Sequence, residues 1–296
     1  MIYDRIAANK RNSILLFAGF FLFNLFLGWV FSEIMGLGYF GIFMAFFIAM
    51  ALMLLSYYKS DSFVLAVSKA KPVNEKEFPH LYNSVEGLAI AAGIPKPKLF
   101  LIDDTAINAF ATGRDPQHAV IVVTKGAVQR LNRLELEGVI AHEMSHIKNF
   151  DIRFMMLVTV LVGTTALLSN IILRSFLWGG TGNRRGSGGI QVAFIVFGLI
   201  LAILTPIIAQ LIQFAISRKR EFLADADGAL LTRYPKGLAD ALRKIKADVE
   251  PLEVANEATE NLYISNPFKE KHKSWFKGMF NTHPPIDDRI KALDAM

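Results

Sequence analysis

The chain has no cysteine. Disulfides, thiolate catalysis, iron–sulfur clusters and Cys-ligated zinc are therefore excluded, and any metal must be held by histidine and carboxylate. Charge is scarce as well. Asp, Glu, Lys and Arg make up 20% of the 296 residues and apolar residues 53%, against a usual charged share of ~25%. This excludes a disordered or collagen-like chain. The formal charge of +6 reads as basic residues beside anionic lipid, not as nucleic-acid contact.

The scarcity of charge is uneven. Between Asn12 and Tyr58 the one charged residue is Glu33, and 154–173 and 190–217 have none. A bilayer core of ~30 Å takes about 20 helical residues. Residues 14–31, 37–57, 154–173 and 190–212 therefore read as four membrane spans. The first has a longer apolar region than the ~7–15 residues of a signal peptide and is followed by a second span, so it reads as a retained anchor. Arg5, Lys10 and Arg11 precede it, and the next loop, Ser32–Gly38, has no Lys or Arg. By the positive-inside rule the N-terminus is cytoplasmic, and with four spans so are 58–153 and 217–296.

The expected organisation is a transmembrane hairpin (1–58), the first part of an α+β domain (59–153), a second hairpin (154–212), and the rest of that domain (213–296). In the first part, Pro72–Ala91 has helical spacing, Gly93–Pro97 breaks it, and Lys98–Ile102 and Ala119–Thr124 are short β-rich runs. Asn132, with Glu135 three residues on, predicts a capping box and a helix to about Lys148. A further helix is expected over Gln213–Thr232, and a kink at Pro206. Gly179–Gly189 reads as a flexible linker. The tail Asn266–Pro285 is loop-like, with Lys269, Lys271, Lys273 and Lys277 around Trp275 and Phe276.

His142-Glu143-Met144-Ser145-His146 is an H-E-x-x-H sequence. On a helix, residues four apart share a face, so both imidazoles can bind one metal ion. Glu143 then lies where it can take a proton from a metal-bound water. A catalytic site needs a third protein ligand. In the later helix Glu221 and Asp225 are also four apart: Glu221 can be that ligand and Asp225 can hydrogen-bond the far nitrogen of a ligating histidine. Asp227 is an alternative third ligand, though it lies off that face. His146 and Glu221 are close in sequence to the third and fourth spans, which puts both within about 15 Å of the membrane surface at 1.5 Å per helical residue.

Four segments together carry a resemblance. They are Asn108-Ala109-Phe110-Ala111-Thr112-Gly113, the His142–His146 motif, the run Ser217–Asp225, and Thr282-His283-Pro284 followed by Arg289-Ile290. With the placement of four apolar stretches, the chain resembles the HtpX family of bacterial membrane-bound zinc metalloproteases. The resemblance implies a polytopic α-helical membrane protein with a cytoplasmic α+β metallopeptidase domain, in the bacterial inner membrane. It implies one zinc ion per chain on His142, His146 and Glu221, with Glu143 catalytic. It implies endopeptidase action on misfolded or damaged membrane proteins and unfolded polypeptides under stress. It also places the tail near the active site, where His283, ahead of Pro284-Pro285, can donate to an oxyanion. Substrate is expected to add as a strand to an exposed sheet edge, for which Asn108, Ala109, Phe110 and Ala111 are the candidates.

Overall fold

Two long helices open the computed structural model, which describes residues 2–35, 37–157, 159, 198, 218–255, 259–269 and 284–296. Helix α1 (Ile2–Met35) and helix α2 (Gly38–Val67) form the expected N-terminal hairpin. They pack through aromatic pairs, with ring centroids 5.7 Å apart for both Phe17–Tyr57 and Phe21–Phe46. Much of the remaining apolar surface points outward: Ile14, Leu15, Leu22, Phe40, Phe43 and Phe47 are all exposed. Among the described residues, Gly38–Lys59 is the one stretch long and apolar enough to cross a bilayer, with 22 residues and a mean hydropathy of 2.3. The expected third span lies mostly outside the described residues, and the fourth almost wholly so. Pro206, the Gly179–Gly189 linker and all the tail lysines except Lys269 lie outside them too.

The rest is an α+β unit. A four-stranded sheet has the order β1-β2-β4-β3, where β1 is Lys71–Pro72, β2 Lys98–Ile102, β3 Ala109–Thr112 and β4 Val120–Thr124. Strands β2 and β4 run parallel and the outer pairs antiparallel. Every residue of β4 is buried, as its Val/Ile run requires of a central strand. Helix α3 (Pro79–Ala92) starts later than the spacing from Pro72 suggests. Pro72 lies in the edge strand, the Asn74 side chain accepts a bond from the Lys76 N–H, and Pro79 provides the first helical position. A proline pre-organised at that position sets the start more strongly than the apolar spacing upstream. Gly93, at φ 68°, ends α3 in the left-handed conformation.

Helix α5 (Arg133–Lys148), which follows the short α4 (Lys125–Arg130), is the centre of the domain. Its capping box forms as the sequence predicts: the Glu135 N–H donates to Asn132 at 3.0 Å and the Asn132 N–H donates back to Glu135 at 2.7 Å. Around it pack α3, β3, α6 (Arg218–Thr232) and α7 (Pro235–Ala247), and the C-terminal α8 (Ile286–Asp294) rests on α6 and α7. Lys269, the one tail lysine described, tucks in and donates to the Ile245 carbonyl near the end of α7.

One carboxylate ties α7 to α4 and to the segment just before β3. At the end of α7, Asp248 accepts the Ile107 N–H at 2.7 Å and the Arg130 guanidinium at 3.0 Å. Burial alone raises its pKa, but these two donors outweigh that and hold it below 3.8. A depressed carboxylate contributes stability above its unfolded pKa and loses it as pH falls through the folded value. Asp248→Ala also leaves a buried N–H unpaired, at a cost of about 1–3 kcal/mol. The variant should therefore melt lower than wild type at neutral pH, and the gap should narrow below pH 3.8. Thermal unfolding of detergent-solubilised protein across that range measures both effects.

Candidate metal centre

Helix α5 delivers His142 and His146 to one point. Their rings are perpendicular with centroids 4.8 Å apart, and their Nε2 atoms are 3.2 Å apart. Glu221 reaches the same point from α6, with Oε1 3.5 Å from His146 Nε2 and Oε2 3.7 Å from His142 Nε2. All three residues are buried, and their ligand atoms lie within 4.8 Å of one another. Ligands about 2.0–2.1 Å from a tetrahedral zinc ion stand roughly 3.3 Å apart. The two nitrogens have that spacing, and each Glu221 oxygen lies slightly farther from one of them, so the three residues can close on such an ion.

The approach of α6 depends on Gly228. A Cβ there would stand 2.9 Å from the backbone nitrogen of His142. Gly138 plays the same part against α7, where a Cβ would come 2.7 Å from the Leu238 nitrogen. Helix α5 is thus held by backbone contact on two sides, and no flexible side chain intervenes.

Each imidazole has a carboxylate on its outer nitrogen. Asp225 Oδ1 is 2.9 Å from His142 Nδ1, as the Glu221/Asp225 spacing predicts. Asp151 Oδ2 is 3.0 Å from His146 Nδ1. Both partners fix the ring orientation and turn Nε2 toward the metal position. Asp225 is itself clamped by Arg289 from α8, which donates through Nε at 2.8 Å and Nη2 at 2.6 Å. Arg289 is fully buried, also donates to the Ile264 carbonyl at 3.1 Å, and lies 3.4 Å from Glu221. Burial opposes the charge on Asp225, but Arg289 and His142 overcome it and bring its pKa down to about 2. Burial lowers the His142 pKa and Arg289 lowers it further, favouring the neutral ligand form.

Glu143 is buried beside the imidazoles. Burial pushes its pKa up to about 7, with His146 and a backbone bond from Ala111 acting the other way. That bond brings β3 alongside the site. The expectation that Asn108, Ala109, Phe110 and Ala111 form an exposed edge is not met. The strand is at the edge of the sheet, yet all four residues are buried. Its outer side is covered where Phe110 bridges Tyr263 and the Ile264 N–H donates to the Ala109 carbonyl at 2.9 Å. Phe110 is a core residue stacked edge-on against Tyr263 at 5.0 Å. The segment meets the site through the main chain of Ala111.

Asp227 is not a ligand alternative. It turns to the other side of α5 and accepts from Ser145 at 3.2 Å and Asn149 at 3.1 Å. His283 lies outside the described residues. The roles of Asp151 and Arg289 escape sequence reasoning. Asp151 follows the motif at no ligand spacing, and Arg289, though among the residues that carry the resemblance, has no role assigned by its local pattern beside Asp287, Asp288 and Lys291.

A sequence profile for peptidase family M48 matches residues 75–296. The chain belongs to that family. Within it, the relatives at hand are HtpX proteins. A protease HtpX homologue from Dictyoglomus thermophilum is 45% identical over 294 residues, covering 99% of this chain and 94% of the relative. One from Listeria monocytogenes is 43% identical over 307 residues, covering all of both chains. This M48 peptidase is therefore an HtpX-type membrane metalloprotease. Its fold is similar to the crystal structure of S. mikatae Ste24p, with a TM-score of 0.52 at 22% identity. That match covers 99% of this chain and 66% of the longer one.

Because the Gly228 contact is backbone on backbone, Gly228→Ala must move α6 and Glu221 with it. Metal retention against a chelator should fall ~10-fold or more, on the scale of losing a ligand-orienting contact. Gly87→Ala in α3, where a Cβ meets nothing within 4 Å, should retain metal like wild type. Equal retention in both variants would show that α6 yields without disturbing Glu221.

Proposed function

We propose that the protein is a zinc metalloendopeptidase that cleaves misfolded or damaged membrane proteins and unfolded polypeptides, as part of a stress response. In this reading it spans the bacterial cell membrane four times and faces its active site to the cytoplasm. The observation that carries the chemistry is the convergence of His142, His146 and Glu221 on one point, with Glu143 buried beside it. One zinc ion per chain held there would supply Lewis-acid polarisation of the peptide carbonyl and of water.

The residues divide the remaining work. Glu143 accepts a proton from the attacking water on a carboxylate oxygen and passes it to the leaving amine nitrogen. Asp225 and Asp151 hold the two imidazoles in the ligating orientation. Arg289 keeps Asp225 ionised and in place. Asn108, Ala109, Phe110 and Ala111 lie in the core, and the Ala111 main chain holds Glu143 beside the imidazoles. His283, close before the N-cap of α8 at Pro285, donates to the oxyanion.

Glu143→Gln should keep zinc and fold while proteolysis of an unfolded substrate such as casein falls by about two to four orders of magnitude, the scale of general acid–base catalysis. Normal turnover by the zinc-loaded variant would overturn the assignment. The topology has its own test. A reporter fused after Arg185 should lie outside the cytoplasm and one fused after Met296 inside it; two cytoplasmic signals would reduce spans three and four to a surface hairpin.

A further inference from the structure

Among the described residues, helix α1 reaches the metal centre through the buried side chain of Asn9. Asn9 is buried although it lies in the N-terminal helix, just before the apolar stretch that begins at Ile14. Its Nδ2 donates to the Asn149 carbonyl at 2.8 Å and to Asp151 Oδ1 at 2.7 Å. Asp151 uses its other oxygen, Oδ2, on His146 Nδ1 at 3.0 Å. The same carboxylate therefore bridges the membrane hairpin and a candidate metal ligand. The Arg220 guanidinium approaches Oδ1 at 3.8 Å, beyond hydrogen-bonding distance.

The junction is shaped for this contact. Between Asn149 and Asp151 the chain turns at Phe150, which has φ 60°, a conformation uncommon for a residue of its size. Lys10 sits over one side of that ring, 4.3 Å from its centroid, and Arg153 lies 5.0 Å from it. Asn9 closes the turn by bonding its first carbonyl and its last side chain together. Within α1, Ser13 donates to the Asn9 carbonyl at 2.8 Å. A buried carboxylate with one oxygen satisfied from α1 has a single orientation in which its second oxygen can hold His146. Without Asn9, Oδ1 loses its one hydrogen bond from α1 and keeps the longer ion pair with Arg220, so Asp151 holds the imidazole less firmly.

Resting on the reading of His142, His146 and Glu221 as zinc ligands, we propose that Asn9 is a positioning residue for the metal. Through Asp151 it orients His146, so the first helix of the membrane hairpin is part of the zinc site and does more than anchor it.

The experiment uses the full chain in detergent and titrates zinc against a chromophoric chelator. It also records the visible absorption of the cobalt-loaded protein, which reports ligand geometry. Asn9→Ala should weaken zinc binding about fivefold, the fold-change that corresponds to a hydrogen bond of ~1 kcal/mol, and should shift the cobalt bands. Asn9→Asp, similar in shape but without the donor, should weaken it at least as much, so a packing defect in the alanine variant does not decide the outcome. Asp151→Asn should weaken binding ~10–100-fold. The double variant Asn9→Ala/Asp151→Asn should match Asp151→Asn alone, because the effect of Asn9 passes through Asp151. Ser13→Ala, which perturbs α1 without touching the turn, should leave both readouts unchanged. Wild-type affinity and spectrum in both Asn9 variants, additive effects in the double variant, or an equal shift from Ser13→Ala would each overturn the role of Asn9. A wild-type chain that takes up neither zinc nor cobalt would overturn the ligand assignment itself.

Discussion

The burial of α5 is the constraint on which the rest of the structure depends. From Leu136 to Ile147 this helix is buried at every position but Glu137, and it carries two imidazoles and a carboxylate into that interior. An ionised group without a partner is very unfavourable there. Four carboxylates cluster at the site, Glu143, Asp151, Glu221 and Asp225, and the fully buried cation among the described residues near them is Arg289. One guanidinium does not balance four carboxylates, even with Glu143 drawn toward the protonated form. A divalent cation between His142, His146 and Glu221 supplies the missing charge. The same excess of negative charge raises the His146 pKa well above its usual value despite burial, through Asp151 and Glu221.

This constraint explains why the chain is arranged as it is. The groups that satisfy α5 come from distant parts of the sequence: Asn9 in α1, Ala111 in β3, Glu221 and Asp225 in α6, Arg289 in α8. None is local to the motif except Asp151. The two glycine contacts set how near their helices come, because Cβ atoms at Gly228 or Gly138 would hold α6 or α7 away from α5. Close packing and charge pairing act together here. The Asp225–Arg289 pair reaches His142 because α6 lies against the α5 backbone and α8 lies against α6.

How much of this the sequence discloses follows from the range of each interaction. The α5 helix, its capping box and its two imidazoles are local, and Asn132, Glu135, His142 and His146 announce them through spacing alone. Glu221 and Asp225 are legible for the same reason, since a second helical repeat of four matches the first. Strand β2 is read at its true limits because Pro97 and the β-rich run define it locally. Reading fails where a long-range contact overrides a local pattern. Arg289 carries part of the resemblance, but its role is hidden because its partner Asp225 is 64 residues away. Phe110 looks available to substrate because nothing in its own segment reveals that Tyr263 covers it. Asn9 looks like one more polar residue before an anchor, and its function appears only once the 149–151 turn is folded beneath it.

Helix length then connects the centre to the membrane. At 1.5 Å per residue, the 34 residues of α1 extend about 51 Å, well beyond a hydrocarbon core of ~30 Å. The surplus at its N-terminal end carries Asn9, about 8 Å along the axis from Ile14 at that spacing. Asp151 and His146 lie directly beyond it through two hydrogen bonds. With 14–31 as the proposed first span, Asn9 would hold the metal position close to the membrane face. A peptide bond that reaches it must come from a loop or a segment drawn out beside the bilayer, because the charged α5 helix and the buried carboxylates around it cannot enter hydrocarbon. Under the proposed function, the geometry that holds His146 in place also sets where along a membrane protein the enzyme cuts.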